Sequence, residues 1–460
     1  MTSKRRKLLF FLFILLFAFL APLVIFYASG YRINWTWPPN LGQTFQKTGM
    51  LVLETEPEGA EIYIDGKLKK NLLNNIIPSA DKDKIVKTPA KLKYMAPGKY
   101  HVLLKKDGYW PWEKEVEIMP GKQTKIEDII LFKKGLPLKI VSASAGEMIF
   151  SPDKRRVLLP QDGLMVDLDK EEVQSIPRIP LKEQATTTVS QEITWSPNGE
   201  KFLIGAKIYN IDNIKSPINL EDLEDEGIKN IKWRDNSSIC YQLQNSIKLF
   251  DIDSGAKQTL VSPDKDVINY FPENDKLYTI ANQGVKTSLE IYSITSRDMV
   301  KRIELPYSTG YTFINPGHKT INLYDKNYNI LYLINESSFF NPVETVLENV
   351  EYSDWIGEDN LVYANKFEIW TYNTSTGNKN LLTRISKPLI GVNWHPTGSY
   401  VLYYTETSLN VIETGKRRRR DVTKLMNVNK IYSPAISADG DVIYFNAEIG
   451  RSAGLYKLNL

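Results

Sequence analysis

The residues best suited to chemistry in this 460-residue chain are three histidines, one cysteine and a run of five cations. His101, His318 and His395 lie far apart, and no two stand at metal-ligand spacing. Cys240 is the single cysteine, so no intramolecular disulfide can form. It lies in the apolar-leaning run Ser-Ile-Cys-Tyr-Gln-Leu, which predicts a buried strand thiol rather than a reactive one. Asp251-Ile-Asp-Ser-Gly255 hints at a calcium loop. An EF-hand, however, needs glycine at its sixth position and glutamate at its twelfth, and Ser262 stands at the twelfth here. Asp and Gly at that spacing predict a hairpin turn instead. The chain has no Gly-x-Ser-x-Gly elbow, phosphate loop or Cys-x-x-Cys pair. The expectation is a protein without catalytic residues, metal or cofactor. The remaining cluster, Lys416-Arg417-Arg418-Arg419-Arg420, reads either as a solvated loop or as an anion contact for lipid headgroups or phosphate-bearing envelope polymers. At an anionic surface each cation would contribute about 1 kcal/mol.

The elements that would carry these residues begin with a membrane-type segment. Residues 1–7 include Lys4-Arg5-Arg6-Lys7, and residues 8–27 form an uncharged run of Leu, Phe, Ile, Val and Ala around Pro22. Twenty helical residues rise about 30 Å, enough to cross the hydrocarbon core. The flanking cations place the N-terminus in the cytoplasm by the positive-inside rule, and the rest of the chain outside the cell membrane. A cleaved signal peptide is the rival reading, with Ala28-Ser29-Gly30 as its cleavage site. The length of the run, and Tyr27, Tyr31, Trp35 and Trp37 at an interfacial position, favour a retained single-pass anchor. Residues 28–49, with Pro38-Pro39, read as a short stiff linker.

The whole chain is 42% hydrophobic and 24% charged, with 25 Tyr, 17 Phe and nine Trp. That is a globular composition with room for two or three domains. No helical apolar period appears beyond the anchor, so the body is predicted to be all-β. The net charge of +4 gives no argument for nucleic acid as a partner.

Residues 50–133 contain short strands separated by turns every eight to twelve residues, which predicts a small β-sandwich. The turns are marked by Pro57-Glu58-Gly59-Ala60, Asp65-Gly66, Pro97-Gly98 and Asp107-Gly108. These motifs, with Tyr63-Ile64-Asp65-Gly66-Lys67, Thr88-Pro89 and Lys106-Asp107-Gly108-Tyr109, resemble the PEGA domain. The resemblance implies a surface-exposed adhesion or scaffold module and carries no catalytic residues. Leu68 to Lys87 departs from the family, where Asp-Gly-Lys passes quickly to Thr-Pro.

From residue 135 to 460 a pattern recurs about every 40 residues: a bulky residue, a turn, then an apolar strand. The markers are Phe150, Trp195, Trp233, Phe271, Ile314, Trp355, Trp394 and Ile436. Their period matches one four-stranded propeller blade. Eight markers predict eight blades; seven is the alternative if Phe150 or Ile314 does not head a whole blade. The chain ends on a third-strand run, so closure is expected to borrow a strand within Ile129 to Val141. Trp195-Ser-Pro-Asn-Gly199 and its counterparts are similar to TolB-type and WD-like propeller repeats of bacterial envelope proteins. This resemblance is specific for fold and weak for function.

The chain therefore reads as a non-enzymatic membrane-anchored cell-envelope protein. Its PEGA module and propeller would act as a binding or scaffold surface for an envelope protein or glycan. The competing classes are a propeller enzyme acting on envelope polysaccharide and a purely structural spacer. A cluster of carboxylates with perturbed pKa values at the propeller channel would favour the enzyme.

Overall fold

The computed structural model describes residues 3–33, 45–70, 85–178, 193–223, 227–314, 319–415 and 422–460. These fall into two compact units. One is built mainly from Met1–Gly135, the other from Leu136–Thr414 and Lys424–Leu460.

The first unit opens with the helix Ser3–Ala28, interrupted only in composition by Pro22. Phe10–Ala28 is long and apolar enough to cross a membrane, and none of it is buried inside the protein. Phe10, Phe13 and Phe17 are each two-thirds exposed, an arrangement that costs free energy in water and none in lipid. Within residues 28–49, Tyr31–Ile33 pairs antiparallel with Phe45–Lys47. Aromatic and β-branched residues at these positions favour the extended pairing.

Next come two sheets sharing one core. In the first, Gly49–Glu56 is central, antiparallel to Ala90–Met95 and parallel to Gln123–Ile130. In the second, the order is Lys67–Leu68, Glu61–Ile64, Gly98–Lys105, Trp112–Ile118. Alternating side chains point inward, as in Trp112, Val116 and Ile118, and meet Leu51, Leu53, Ile62, Leu104 and Ile126. Asp65 and Gly66 both have positive φ, 50° and 76°, the geometry of the two-residue hairpin expected there.

The second unit has eight four-stranded sheets among the described residues, laid out along the chain as a propeller. Sheets 1 to 7 occupy residues 149–175, 193–219, 229–261, 266–305, 311–347, 352–384 and 389–427. In each, sequence neighbours are sheet neighbours. Sheet 8 comprises Lys430–Ile436, Val442–Ile449 and Ser452–Asn459, and takes Leu138–Val141 as its outer strand. The borrowed strand is the closure expected from a chain that ends on a third strand.

The marker residues stand within two residues of the end of the first strand of each sheet. Trp195 Nε1 donates to Ile149 O at 3.0 Å, and Trp233 Nε1 to Thr194 O at 3.3 Å. Each indole thus ties its sheet to the one before, and its ring fills the space between them. The Ser-Pro-Asx turns that follow are locked by the serine hydroxyl. Ser151 and Ser196 each donate to the side-chain Oδ1 of the Asx two residues on and accept from the N–H five residues on. At the seam between first and last sheets, Met148, Val157, Leu159 and Val166 pack with Tyr444 and Leu455.

Candidate functional site

The residues singled out by chemistry have structural roles wherever they are described. Cys240 is fully buried, and burial pushes its thiol up to about 12, so the thiolate that would react is scarce. Asp251 Oδ1 accepts from Ser254 N at 2.7 Å and Ser254 Oγ at 2.6 Å, closing the hairpin turn; those bonds hold its pKa below the usual carboxylate range. His101 faces Glu113 at 3.2 Å on an exposed surface. His395 is buried between sheets 7 and 8. Thr397 N donates to its Nδ1 at 3.3 Å, and its Nε2 lies 3.2 Å from Gly440 O. Only a neutral ring with the proton on Nε2 satisfies both. Burial lowers its pKa, and the Gly440 carbonyl opposes this. His318 and the five cations Lys416, Arg417, Arg418, Arg419 and Arg420 lie outside the described residues.

Carboxylates in the propeller are likewise occupied. Asp354, on the first strand of sheet 6, is the one carboxyl with a raised pKa among the described residues. Burial raises it against the hydrogen bond it accepts from Trp394 N at 2.8 Å. It braces sheet 7 and has no second perturbed carboxylate beside it. Glu290 is buried in sheet 4 with Lys265 at 2.7 Å and Arg302 at 2.9 Å. Burial works against its charge, but Lys265, Tyr292 and Arg302 prevail and lower its pKa. No group of three or more His, Cys, Asp or Glu among the described residues could hold a metal ion.

One surface feature has no such internal purpose. The loop between the third and fourth strands of sheet 5 displays Phe339 and Phe340, 86% and 87% exposed. The two rings meet edge to face, 5.3 Å apart. The loop is braced from sheet 4. Lys301 Nζ donates to Glu336 O at 2.5 Å and Ser338 O at 2.6 Å. Lys276 pairs with the Glu336 carboxylate, and Tyr278 Oη donates to it at 3.0 Å. Asn335 closes the base through its N–H to Pro342 O at 2.7 Å and its amide to Glu344 at 2.7 Å. Met299 and Val300, beside Lys301 on the outer strand of sheet 4, are exposed as well. A loop held by this many polar contacts, with two phenylalanines in water, is organised for display. Its sequence signal was an apolar pair, Phe339-Phe340, inside a polar turn segment.

Strand direction sets the neighbours of this loop. The connections from third to fourth strand all emerge at one end of the ring. In sheet 7 the third strand finishes at Glu413 and the fourth starts at Val422 at that end. Leu138, where the chain enters the closing strand, belongs to that end as well.

The PEGA domain family model matches residues 79–129. The matched stretch lies downstream of Pro57-Glu58-Gly59-Ala60. No curated protein matches the chain. Among solved structures, the chain is similar to the Dos1 propeller, at 12% identity over 71% of this chain and 95% of that one, with TM-score 0.49. It is also similar to the Pan2 WD40 domain of Neurospora crassa, at 9% identity over 58% and 88%, with TM-score 0.38. A chain of the mitotic checkpoint complex aligns at 12% identity over 72% and 93%, with TM-score 0.40. The propeller rests on the sheet order itself, and these likenesses add no functional argument.

Proposed function

We propose that the chain is a membrane-tethered, non-catalytic binding protein of the cell envelope. In this reading residues 8–27 are a retained anchor with the N-terminus in the cytoplasm. The domains at 50–133 and 135–460 stand outside, the second as a closed ring of eight blades. The observation that carries the reading is the braced Phe339-Phe340 loop. Two rings held in water offer about 2–3 kcal/mol each on burial, the scale of hot-spot residues in protein interfaces. An apolar pair of this kind favours an envelope protein with a matching apolar pocket over a glycan. The Lys416–Arg420 run, which follows Glu413 in the sequence, is proposed as an accessory anion contact.

Two measurements test the reading. Protease added to intact cells should digest the propeller while the N-terminal segment stays protected; a shielded propeller would contradict the outward orientation. Affinity purification of the full chain should recover a partner that Phe339→Ser/Phe340→Ser loses, with thermal stability unchanged because both rings are already exposed. Equal recovery by both chains removes the loop from the account.

A further inference from the structure

A second, chemically different site lies in the first unit. A groove of about 720 Å³ is lined by Gly59, Glu61 and Tyr63 on one side and by Lys105 to Tyr109 on the other, with Lys87 and Lys134 at its rim. The chain brings these together from distant stretches. Lys106 Nζ donates to Glu58 O, tying the Lys106-Asp107-Gly108-Tyr109 turn to the Pro57–Ala60 turn. Lys134 N donates to Gly108 O at 2.7 Å, which fixes the residues after the last strand beside the same turn.

The charge balance of the groove is four lysines against Glu61 and Asp107. None of the four forms an ion pair among the described residues. Three rest on aromatic rings instead: Lys105 over Tyr63 at 5.1 Å, Lys106 over Tyr109 at 5.5 Å, and Lys134 over Trp110 at 5.0 Å. Exposed contacts of this type are weak, so the Lys105 and Lys134 ammonium groups can turn to an incoming anion at small cost, while Lys106 stays tied to Glu58 O. Tyr63 and Tyr109 are half-buried in the lining, each with a lysine over its ring.

We infer that this groove binds an anionic glycan, a sugar polymer bearing phosphate or carboxylate groups. The volume suits a short stretch of such a chain. A peptide added as a strand fits poorly, because the groove is walled by turns, and Glu61–Ile64 is already paired on both sides. The site is separate from the Phe339-Phe340 loop, so either can fail without the other.

The same unit carries a cavity of opposite sign, about 680 Å³, lined by Glu54, Glu56, Glu58 and Asp128. A second copy docking its acidic cavity into the basic groove is the competing occupant, and the experiment separates the two. Full-length protein in uncharged nanodiscs is titrated with poly(glycerol phosphate), polygalacturonate and neutral dextran. The expected result is binding of at least one polyanion, none of dextran, and about 30-fold or greater weakening in Lys105→Glu/Lys134→Glu. The tighter polyanion identifies phosphate or carboxylate as the natural group. Unchanged binding in that variant overturns the site. So does binding lost only when Arg417, Arg418, Arg419 and Arg420 are replaced by serine. Salt-sensitive self-association abolished by the lysine reversals, with no polyanion binding, assigns the groove to a second copy and also overturns the proposal.

Discussion

Gly454 sits where the ring closes, and replacing it by alanine tests the closure at one atom. Leu138–Val141 is aligned with the last strand through Leu138↔Lys457, Lys139↔Tyr456 and Val141↔Leu455, with a bulge before Val141. A Cβ on Gly454 would stand 2.3 Å from Val141 O and 2.7 Å from Lys139 Cε. The lysine can swing aside, but the carbonyl is backbone and moves only with its strand. Overpacking of this kind costs about 1–3 kcal/mol. If the strand detaches, loss of three paired positions at about 1 kcal/mol each brings the cost to the upper end of that range. For a unit this large, that is a fall in Tm of about 1.5–4.5 °C. Gly227 is the control, since nothing lies within 4 Å of its Cβ position and its backbone is not left-handed. Gly227→Ala should stay within about 0.5 kcal/mol of the parent. Thermal unfolding and hydrogen exchange at Lys139 to Val141 read both effects. A Gly454→Ala chain as stable and as protected as Gly227→Ala would refute closure by this strand.

Other consequences follow from buried groups. His395 has a lowered pKa when folded, so below about pH 6.5 the unfolded chain binds a proton that the folded chain refuses. Its contribution is present above that pH and is lost as pH falls, at no more than about 1.4 kcal/mol per unit. Urea unfolding at pH 7.5 and 5.5 should show this, with a shallower difference in His395→Asn; an equal difference would place the dependence elsewhere. Cys240 should resist thiol reagents in the native state and react on unfolding, and rapid native labelling would contradict its burial. Lys301→Ala should increase hydrogen exchange across Glu336 to Phe340, because the brace to both loop carbonyls is gone. Unaltered exchange would show that Asn335 and Glu336 hold the loop without it.

Much of the fold was legible because it depends on local chemistry. A bulky residue, a Ser-Pro-Asx turn and an apolar strand recur together because the serine hydroxyl closes the turn and the ring fills the gap between sheets. The closing strand was expected within Ile129 to Val141, and Leu138–Val141 pairs with the last strand of sheet 8. The pairing of Tyr31–Ile33 with Phe45–Lys47 was not visible in the linker's composition, because it joins residues a dozen or more positions apart. The sites were less legible because they depend on residues distant in sequence. Nothing beside His395 points to Gly440. Phe339-Phe340 resembles a core pair until Lys301, in the preceding repeat, is seen bracing its loop outward. The basic groove assembles residues from Gly59 to Lys134, and only its proximity to the two PEGA-like turns was visible beforehand. Lys416–Arg420 stands as a proposal from sequence and strand order alone.

The central claim is that the braced end of the propeller docks a partner outside the membrane. Photo-crosslinking in intact cells, with the reactive side chain at position 340 of the full-length chain, tests it most directly. Val285 is the reference position, 83% exposed on a hairpin between second and third strands at the opposite end of the ring. The account predicts a discrete adduct from position 340 that weakens with Lys301→Ala and is missing from position 285. Equal crosslinking from both positions, or none from position 340, would contradict it.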